Sequence, residues 1–447
     1  MTTYKKYSMK RLSTVRKSSL IFLIFILFIL KHYLKNPMYT SIIYTLVFCL
    51  ILSYLFVTRI SFLSICAVLA LLLTSPSLIG EHFGFIPFAF LLCVNIILIF
   101  QFIFKSGDWE PYSKSITGKS VEFGFVFFFL AGWVLQIVNS EIAIKEIVFI
   151  FNLSLFVFLL TKNSVRFLEI IKMMIYAVSG LNFVGIAVLI LTPIMNLQPI
   201  LFSGSDWGRG NFLYSYWTAG IITGGGASII SHVPRFVGLS GEPGLWSLVC
   251  LGFVGFTEII KVVFQRRIVL VGLLIGVVIS QSSAAYVISL FSISLSIIFL
   301  FKTQVTKLLG IIFSISILIL FGSKFVNQIL SFKVRSGEIA SLRDRGIGLQ
   351  GVYVQSDFAF SSINYLKILF SMPLIGIMYI ISAFIVFAVT IRSKTPSLIL
   401  SSTAITLGAM FSQPIQFHPL FFLIQILICI MSSQKSAEVS DDLAHNG

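Results

Sequence analysis

Long apolar runs separated by short polar joins fill most of this sequence from residue 18 to residue 431. A helix that crosses a bilayer needs about 17–25 predominantly apolar residues, and most of these runs reach that length. The 447 residues are 57% hydrophobic and only 11% charged, which leaves too little polar surface for a soluble protein of this size. The pattern predicts an all-α, polytopic integral membrane protein with about 14 transmembrane helices, in a range of about 11–14.

The predicted spans form one transmembrane domain over residues 1–447, with a short tail at each end. The spans lie near 18–34, 39–57, 60–79, 83–104, 123–139, 146–161, 170–192, 244–260, 268–280, 284–301, 308–323, 372–391, 396–412 and 415–431. Residues 1–17 are basic, and no small-residue cleavage site follows them, so they are predicted to be a cytoplasmic tail rather than part of a signal peptide. Residues 432–447 are polar and are predicted to be a disordered cytoplasmic tail.

The charged residues follow the topology of the predicted spans. The chain has 32 Lys and Arg against 16 Asp and Glu, a formal net charge of +16. With the N-terminus inside, the cytoplasmic joins carry the basic residues Arg59, Lys105, Lys114, Lys119, Lys162, Arg166, Lys261, Arg266, Arg267, Lys302, Lys307, Arg392 and Lys394. Lys and Arg concentrate in short cytoplasmic loops, so this alternation predicts that both termini are cytoplasmic and explains the charge without nucleic-acid binding.

Two joins are much longer than the others and cover residues 193–243 and 324–371. By the count of spans, both lie on the external face and are the two large external loops of the predicted architecture. Loops of this length without obvious secondary structure are usually functional. We therefore expect the residues of these two loops to form a binding or catalytic site.

The first long loop ends on "RFVGLSGEPG", which places opposite charges on a glycine-rich backbone at the start of an apolar span. Pro243 opens that span, at a position where helices tolerate proline. The helix N-terminus favours an anion, and Arg235 offers a planar fork suited to phosphate, while the glycines allow a ligand to approach the backbone. Glu242 is then a candidate general base for a sugar hydroxyl. The alternative is a structural ion pair between Arg235 and Glu242 that holds the loop down.

Other polar residues of the two loops extend this candidate site. The first loop also contains Arg209 and His232, beside aromatic residues that suit either a sugar-binding surface or an anchor at the membrane interface. The second loop carries the cations Lys333, Arg335, Arg343 and Arg345. Such a cationic external loop fits a lipid-linked pyrophosphate or an acidic glycan, and the alternative is an amphipathic helix lying on anionic headgroups.

Several classes of function lack the residues that they require. The sequence has no Walker A motif for ATP hydrolysis and no clustered acidic pair in the external joins to hold a divalent metal. Charges in the middle of spans, which ion-coupled transport usually needs, are almost absent. The cysteines Cys49, Cys66, Cys93, Cys250 and Cys429 lie in apolar runs without a C-x-x-C pair, which predicts neither disulfides nor a zinc site. We therefore expect neither a metal nor a cofactor.

The overall layout and the run "RFVGLSGEP" resemble a known family. Many spans, two large arginine-bearing loops and the pattern R-x-x-G-x-x-x-E-P look like the bacterial Wzy-type O-antigen and capsule polysaccharide polymerases, and Arg235, Gly238, Glu242 and Pro243 carry that pattern here. This family belongs to a superfamily with the O-antigen ligases. The resemblance implies a GT-C-like membrane glycosyltransferase fold in the bacterial inner membrane. At "SQSS" the family commonly has Ser-Arg, and this chain has no arginine there.

The resemblance also implies a reaction in which a growing glycan on undecaprenyl pyrophosphate is transferred to a new lipid-linked repeat unit, without metal or cofactor. The implied catalytic residues are Arg235 for the donor pyrophosphate and Glu242 or His232 for the acceptor proton. Further contacts with phosphate or glycan are implied for Arg209, Arg335, Arg343 and Arg345. The implied partners are the lipid-linked glycan as donor and acceptor, membrane lipids, a chain-length regulator and a flippase, with no nucleic acid.

Two other functions fit parts of the same sequence. An O-antigen ligase, or a related transferase of lipid-linked glycans, would share the two loops and their arginines. A flippase for lipid-linked oligosaccharides would also have many spans, but it is expected to carry charges within its bundle and short loops on both faces. This chain has the reverse arrangement, which favours a polymerase of O-antigen, capsule or exopolysaccharide.

Overall fold

The structure is a computed structural model. The described residues are 62–73, 86–105, 116–138, 144–195, 200–201, 212–215, 221–224, 235–239, 243–298, 312, 368–369, 372–412 and 419–445. Most of these residues are helical, in agreement with the predicted all-α class.

Each predicted span that falls on described residues corresponds to a helix. The helices are α1 Phe62–Leu73, α2 Ile86–Lys105, α3 Ile116–Val138, α4 Ile144–Thr161, α5 Ser164–Met195, α6 Pro243–Val254, α7 Val263–Ile279, α8 Ser283–Ile298, α9 Pro373–Ser393, α10 Pro396–Leu407 and α11 Pro419–His445. A 3₁₀ turn, Thr257–Ile259, follows α6, and a π-helical turn, Gly408–Ser412, extends α10. The predicted spans near 18–34 and 39–57 lie outside the described residues. Of the predicted span near 308–323, the structure describes residue 312.

Local hydrogen bonds explain where two of these helices begin or end. Helix α5 starts six residues before the predicted span at 170, because the Asn163 side chain caps it by accepting a hydrogen bond from the Arg166 N–H at 3.1 Å. Helix α6 ends at Val254, earlier than the predicted residue 260. There the Gly255 N–H donates instead to the Ser401 hydroxyl at 2.6 Å, which takes the backbone out of the helical pattern.

The end of the chain differs from the sequence-based expectation. Residues 432–447 were expected to be a disordered tail, whereas α11 continues through this segment to His445. The segment "SSQKSAEVSDDLAH" is polar but contains alanine, glutamate, lysine and glutamine, which favour helix, and it has no proline or glycine to end one. Hydropathy marks the end of an apolar run, and a helix is free to continue beyond it.

The first long loop contains a small antiparallel sheet, so the fold is not helical throughout. Its strands are β1 Ile200–Leu201, β2 Phe212–Ser215, β3 Ile221–Gly224 and β4 Arg235–Phe236, in the order β1-β2-β3-β4. Strand β4 pairs with β3 through Ile222 opposite Phe236 and Thr223 opposite Arg235. This small sheet lies within the long loop predicted for residues 193–243.

Small residues set the packing of the helices around α6. Helices α5 and α7 run parallel, with Gly272 against Ser179 and Gly276 against Asn182. Such close approach through glycine and serine is typical of helices in membranes. Helix α6 runs antiparallel to both and is buried along its whole length. It is therefore the central helix among its described neighbours.

Large apolar side chains cover outward-facing surfaces of the other helices. Phe104, Phe123 and Phe127 are 77%, 72% and 54% exposed, and Phe123 and Phe127 stack one turn apart with ring centroids at 6.2 Å. Among the described residues, two helices are long and apolar enough to cross a membrane, Ser164–Leu191 and Pro373–Ser393. Exposed aromatic stripes of this kind and two such helices favour association with a membrane.

Candidate functional site

The two ends of the helical bundle differ in charge. The starts of α5, α7 and α10 lie at the same end, since the Tyr176 hydroxyl is hydrogen-bonded to the Gln265 side chain at 3.1 Å and the Ser397 hydroxyl donates to Glu258 at 2.7 Å. We call this the basic end, and its described cations are Lys162, Arg166, Lys172, Lys261, Arg266, Arg267, Arg392, Lys394 and Lys435. Lys435 belongs here because the Ser432 hydroxyl of α11 is hydrogen-bonded to Thr390 near the end of α9. Basic residues that the sequence assigned to separate cytoplasmic joins therefore gather at one end of the described bundle.

Arg235 lies at the opposite end, which we call the Arg235 end. Its neighbour in sequence, Phe236, packs on Gly185 in the C-terminal half of α5, where an added Cβ would lie 2.8 Å from the ring. The guanidinium of Arg235 is close enough to Tyr286, in the first turn of α8, for an electrostatic interaction. Of the cations whose side chains the structure describes, Arg235 is the one at this end.

The turn after Arg235 is fixed by a glycine and a tryptophan. Gly238 has a φ of +54°, in the left-handed region that glycine tolerates and side chains rarely adopt. The indole of Trp246 occupies the space where a Cβ on Gly238 would lie, and it packs edge-on against Phe236 with ring centroids at 6.2 Å. Position 238 therefore requires glycine because of its left-handed backbone and its contact with Trp246. The sequence analysis instead predicted that the glycines of this turn allow a ligand to approach the backbone.

A buried hydrogen-bond network holds Trp246 in place. Its indole N–H donates to the Asn182 side-chain oxygen at 2.8 Å, and the Asn182 amide nitrogen donates to the Cys250 sulfur at 3.3 Å. All three side chains are fully buried. The turn that carries Arg235 is therefore anchored through Trp246 to both α5 and α6.

Replacing Trp246 with phenylalanine is expected to lower the free energy of unfolding by about 1–3 kcal/mol, because the buried Asn182 oxygen loses its donor. The melting temperature of the detergent-purified protein measures this loss. In the double variant Trp246→Phe, Asn182→Leu no buried oxygen remains unsatisfied, so part of the loss should be regained. An unchanged melting temperature in Trp246→Phe would show that this network does not stabilise the turn.

The polar turn "SQSS" contacts α6 from the other side. The Ser280 hydroxyl is hydrogen-bonded to the hydroxyl of Ser247 near the start of α6, and Ser247 also donates to the carbonyl of Pro243 at 2.9 Å. Gln281 is buried and has a φ of +48°, which is costly for a residue with a side chain. The structure therefore places this turn against the start of α6.

Tyr286 is the neighbour of Arg235 that sequence reasoning did not single out. Its hydroxyl donates to the carbonyl of Val278 at 2.6 Å, which ties the start of α8 to the end of α7. The Arg235 side chain is partly exposed, and its Nε atom is buried. The arrangement presents a guanidinium on a well-packed turn, beside the phenol of Tyr286.

The remaining sequence-predicted site residues cannot be placed beside Arg235. Arg209, His232, Glu242, Arg335, Arg343 and Arg345 all lie outside the described residues. Within the described ranges, no group of three or more His, Cys, Asp or Glu side chains has an arrangement that could hold a metal ion. The described part of the candidate site therefore consists of Arg235 and the residues that support its turn.

Comparisons of the chain with models of protein families, with curated proteins and with solved structures find no match. A function must therefore be argued from the chain's own residues and their geometry. The features that carry most weight are the position of Arg235, the packing of its turn and the charge difference between the two ends of the bundle.

Proposed function

We propose that this chain is a multi-pass protein of the bacterial inner membrane, with both termini in the cytoplasm. The exposed phenylalanines and the apolar lengths of α5 and α9 support placement in lipid. The gathering of cations at the basic end supports a cytoplasmic position for that end, because Lys and Arg concentrate in cytoplasmic loops. The Arg235 end then faces the periplasm.

We further propose that the protein polymerises lipid-linked oligosaccharide repeat units into O-antigen, capsule or exopolysaccharide at the periplasmic face. The observation that carries this proposal is the position of Arg235, a guanidinium at the end opposite the basic cluster, on a turn held by Gly238 and Trp246. A rigidly held arginine is suited to a phosphate or pyrophosphate through its planar fork. The preference of Lys and Arg for cytoplasmic loops does not explain a cation at the end opposite the basic cluster. The presence of Arg235 there therefore supports a role in binding a ligand.

The proposed reaction transfers a glycan from undecaprenyl pyrophosphate to an acceptor hydroxyl on a second lipid-linked repeat unit. The acceptor oxygen bonds to the anomeric carbon, and the bond from that carbon to the pyrophosphate oxygen breaks. The electron pair stays with the lipid pyrophosphate, whose developing charge Arg235 stabilises, with Arg209, Arg335, Arg343 and Arg345 as further contacts. Glu242, which directly precedes α6 in sequence, or His232 takes the proton of the acceptor hydroxyl.

Purified protein in lipid nanodiscs, incubated with a synthetic undecaprenyl-pyrophosphate-linked repeat unit, is expected to form a ladder of products that differ by one repeat. The ladder should form without nucleotide and in the presence of a chelator, because the donor already carries its leaving group. Gel electrophoresis and mass spectrometry of the released glycans provide the measurement. The matched reaction uses the same repeat unit on a lipid monophosphate, which is a poorer leaving group and should give far less product.

Two results would contradict the proposal. Transfer of a single glycan to a lipid A core acceptor, without a ladder, would identify a ligase. Movement of the substrate across the bilayer without any new glycosidic bond would identify a transporter. A gene deletion distinguishes the same cases in cells, since loss of a polymerase leaves lipopolysaccharide with a single repeat and loss of a ligase leaves the core alone.

A further inference from the structure

Strand β4, which carries Arg235, lies at the C-terminal end of α7. Helices α5 and α7 run parallel and touch where Gly276 packs on Asn182, so Gly185 of α5, three residues further along, lies near the last turn of α7. Phe236 of β4 packs on Gly185, and β4 itself contacts α7. The packing of the backbone therefore brings the strand that carries Arg235 to the last turn of α7.

The hydroxyl of Tyr286 is bonded to this same turn of α7. It donates to the carbonyl of Val278 at 2.6 Å. Val278 is 61% exposed, and Tyr286 and Arg235 are both partly exposed, so a ligand can reach this part of the surface. The electrostatic interaction between the phenol and the guanidinium agrees with this placement. Tyr286 and Arg235 therefore lie together at an accessible surface at the end of α7.

The bond to Val278 limits what the phenol oxygen of Tyr286 can still do. A carbonyl only accepts hydrogen bonds, so the single phenol proton is directed to Val278. The lone pairs of the phenol oxygen then remain as acceptors. They repel a phosphate oxygen, but they suit a guanidinium, whose five N–H groups can only donate. The phenol of Tyr286 is therefore a partner for Arg235 rather than for an anionic ligand.

We propose that Tyr286 is a positioning residue whose oxygen accepts a hydrogen bond from the Arg235 guanidinium, so that the other guanidinium N–H groups face the phosphate of the ligand. The carbonyl of Val278 holds the phenol, and the phenol in turn orients the guanidinium. This inference rests on the proposed function, because the phosphate is that of the lipid-linked donor. Binding of such a lipid can be measured without turnover, so the two proposals are tested separately.

The test measures binding of undecaprenyl pyrophosphate to the full-length protein in detergent, by titration in native mass spectra. Tyr286→Phe is expected to weaken binding about five- to tenfold, the effect of one lost hydrogen bond. The variant should fold, because the ring is kept and the Val278 carbonyl still accepts a hydrogen bond from the Gln281 N–H at 3.2 Å. In an Arg235→Ala background the same substitution should change binding by less than about twofold, because no guanidinium remains to be oriented.

The matched control is Tyr176→Phe at the basic end. It removes the same group from a tyrosine that also joins two helices, through a hydrogen bond with Gln265 at 3.1 Å. Binding of undecaprenyl pyrophosphate should stay within about twofold, because sites this far apart act independently. Equal losses from the two tyrosine substitutions would overturn the proposal, as would an equal loss from Tyr286→Phe with and without Arg235. Either result would assign Tyr286 a structural role only.

The ladder reaction separates this inference from the proposed function. A ladder from the unmodified protein, with an equal rate from Tyr286→Phe at limiting substrate, would leave the polymerase in place and refute the role of Tyr286. Loss of binding that depends on Arg235, without any ladder, would support the role of Tyr286 and refute the polymerase. Failure of the unmodified protein to bind undecaprenyl pyrophosphate would refute both.

Discussion

Replacing Arg235 with alanine is expected to reduce polymer formation by about 100- to 1000-fold while the protein remains in the membrane. One fixed donor that stabilises developing negative charge contributes this much to a rate, and Arg235 is the described cation nearest the start of α6 at that end. Silver-stained gels of cell-surface polysaccharide, and the nanodisc reaction, measure the loss. Arg235→Lys keeps the charge without the planar fork and is expected to retain a small part of the activity.

The matched control is Arg267→Ala, which removes an exposed arginine from the basic end. It should leave the polymer ladder unchanged, because that residue lies at the other end of the bundle from the proposed reaction. Immunoblots of isolated membranes confirm that each variant is present in equal amount. Normal long-chain polysaccharide from cells that carry Arg235→Ala would show that Arg235 has no catalytic role, whatever the role of the other loop arginines.

Replacing Gly238 with alanine is expected to lower the free energy of unfolding by about 2–5 kcal/mol. A left-handed residue with a side chain costs about 1–2 kcal/mol, and forcing a methyl group into the indole of Trp246 adds about 1–3 kcal/mol. The melting temperature of the purified protein should fall clearly, and the amount of protein in membranes should fall with it. The substitution leaves Arg235 unchanged, but the backbone strain and the clash with Trp246 displace the turn that carries it.

A second glycine serves as the control for this change. Among the described residues, a Cβ on Gly124 in α3 would meet Ile385 at 3.8 Å, an ordinary contact. Gly124→Ala is expected to leave the melting temperature unchanged or to raise it slightly. If Gly238→Ala were as stable as Gly124→Ala, the Gly238 turn would not be a rigid support for Arg235. The two substitutions add the same methyl group, so their difference isolates the effect of position.

Hydropathy alone predicted where the described helices lie, because an apolar run of sufficient length has few other stable forms in a membrane. The helix ends were harder to predict, since they depend on single polar contacts. The hydrogen bond that caps α5 at Asn163 and the hydrogen bond from Gly255 to Ser401 join pairs of residues that a hydropathy pattern does not identify. Strands of two to four residues in a glycine-rich loop give too short an alternation to be recognised, so the sheet was missed.

For the candidate site, the sequence identified Arg235 because a charge on a glycine-rich backbone beside an apolar span is unusual. It did not identify Asn182 and Trp246, which help to hold the turn. Asn182 and Trp246 are separated by 64 positions, and their hydrogen bond forms only when α5 and α6 pack together. Each of them looked like an ordinary residue of an apolar run. The sequence likewise did not single out the neighbour Tyr286.

Helix α5 does not end at the level of the Arg235 turn. It runs ten residues beyond Gly185, where Phe236 packs, to Met195, which is about 15 Å of helix. Ile190 and Ile194 on this extension are 55% and 73% exposed. If lipid covers these side chains, the Arg235 turn lies below the level of the outer headgroups. Bulk water is scarce at such a depth, and the lower effective dielectric constant makes the attraction of Arg235 to a diphosphate several times stronger than at an open surface.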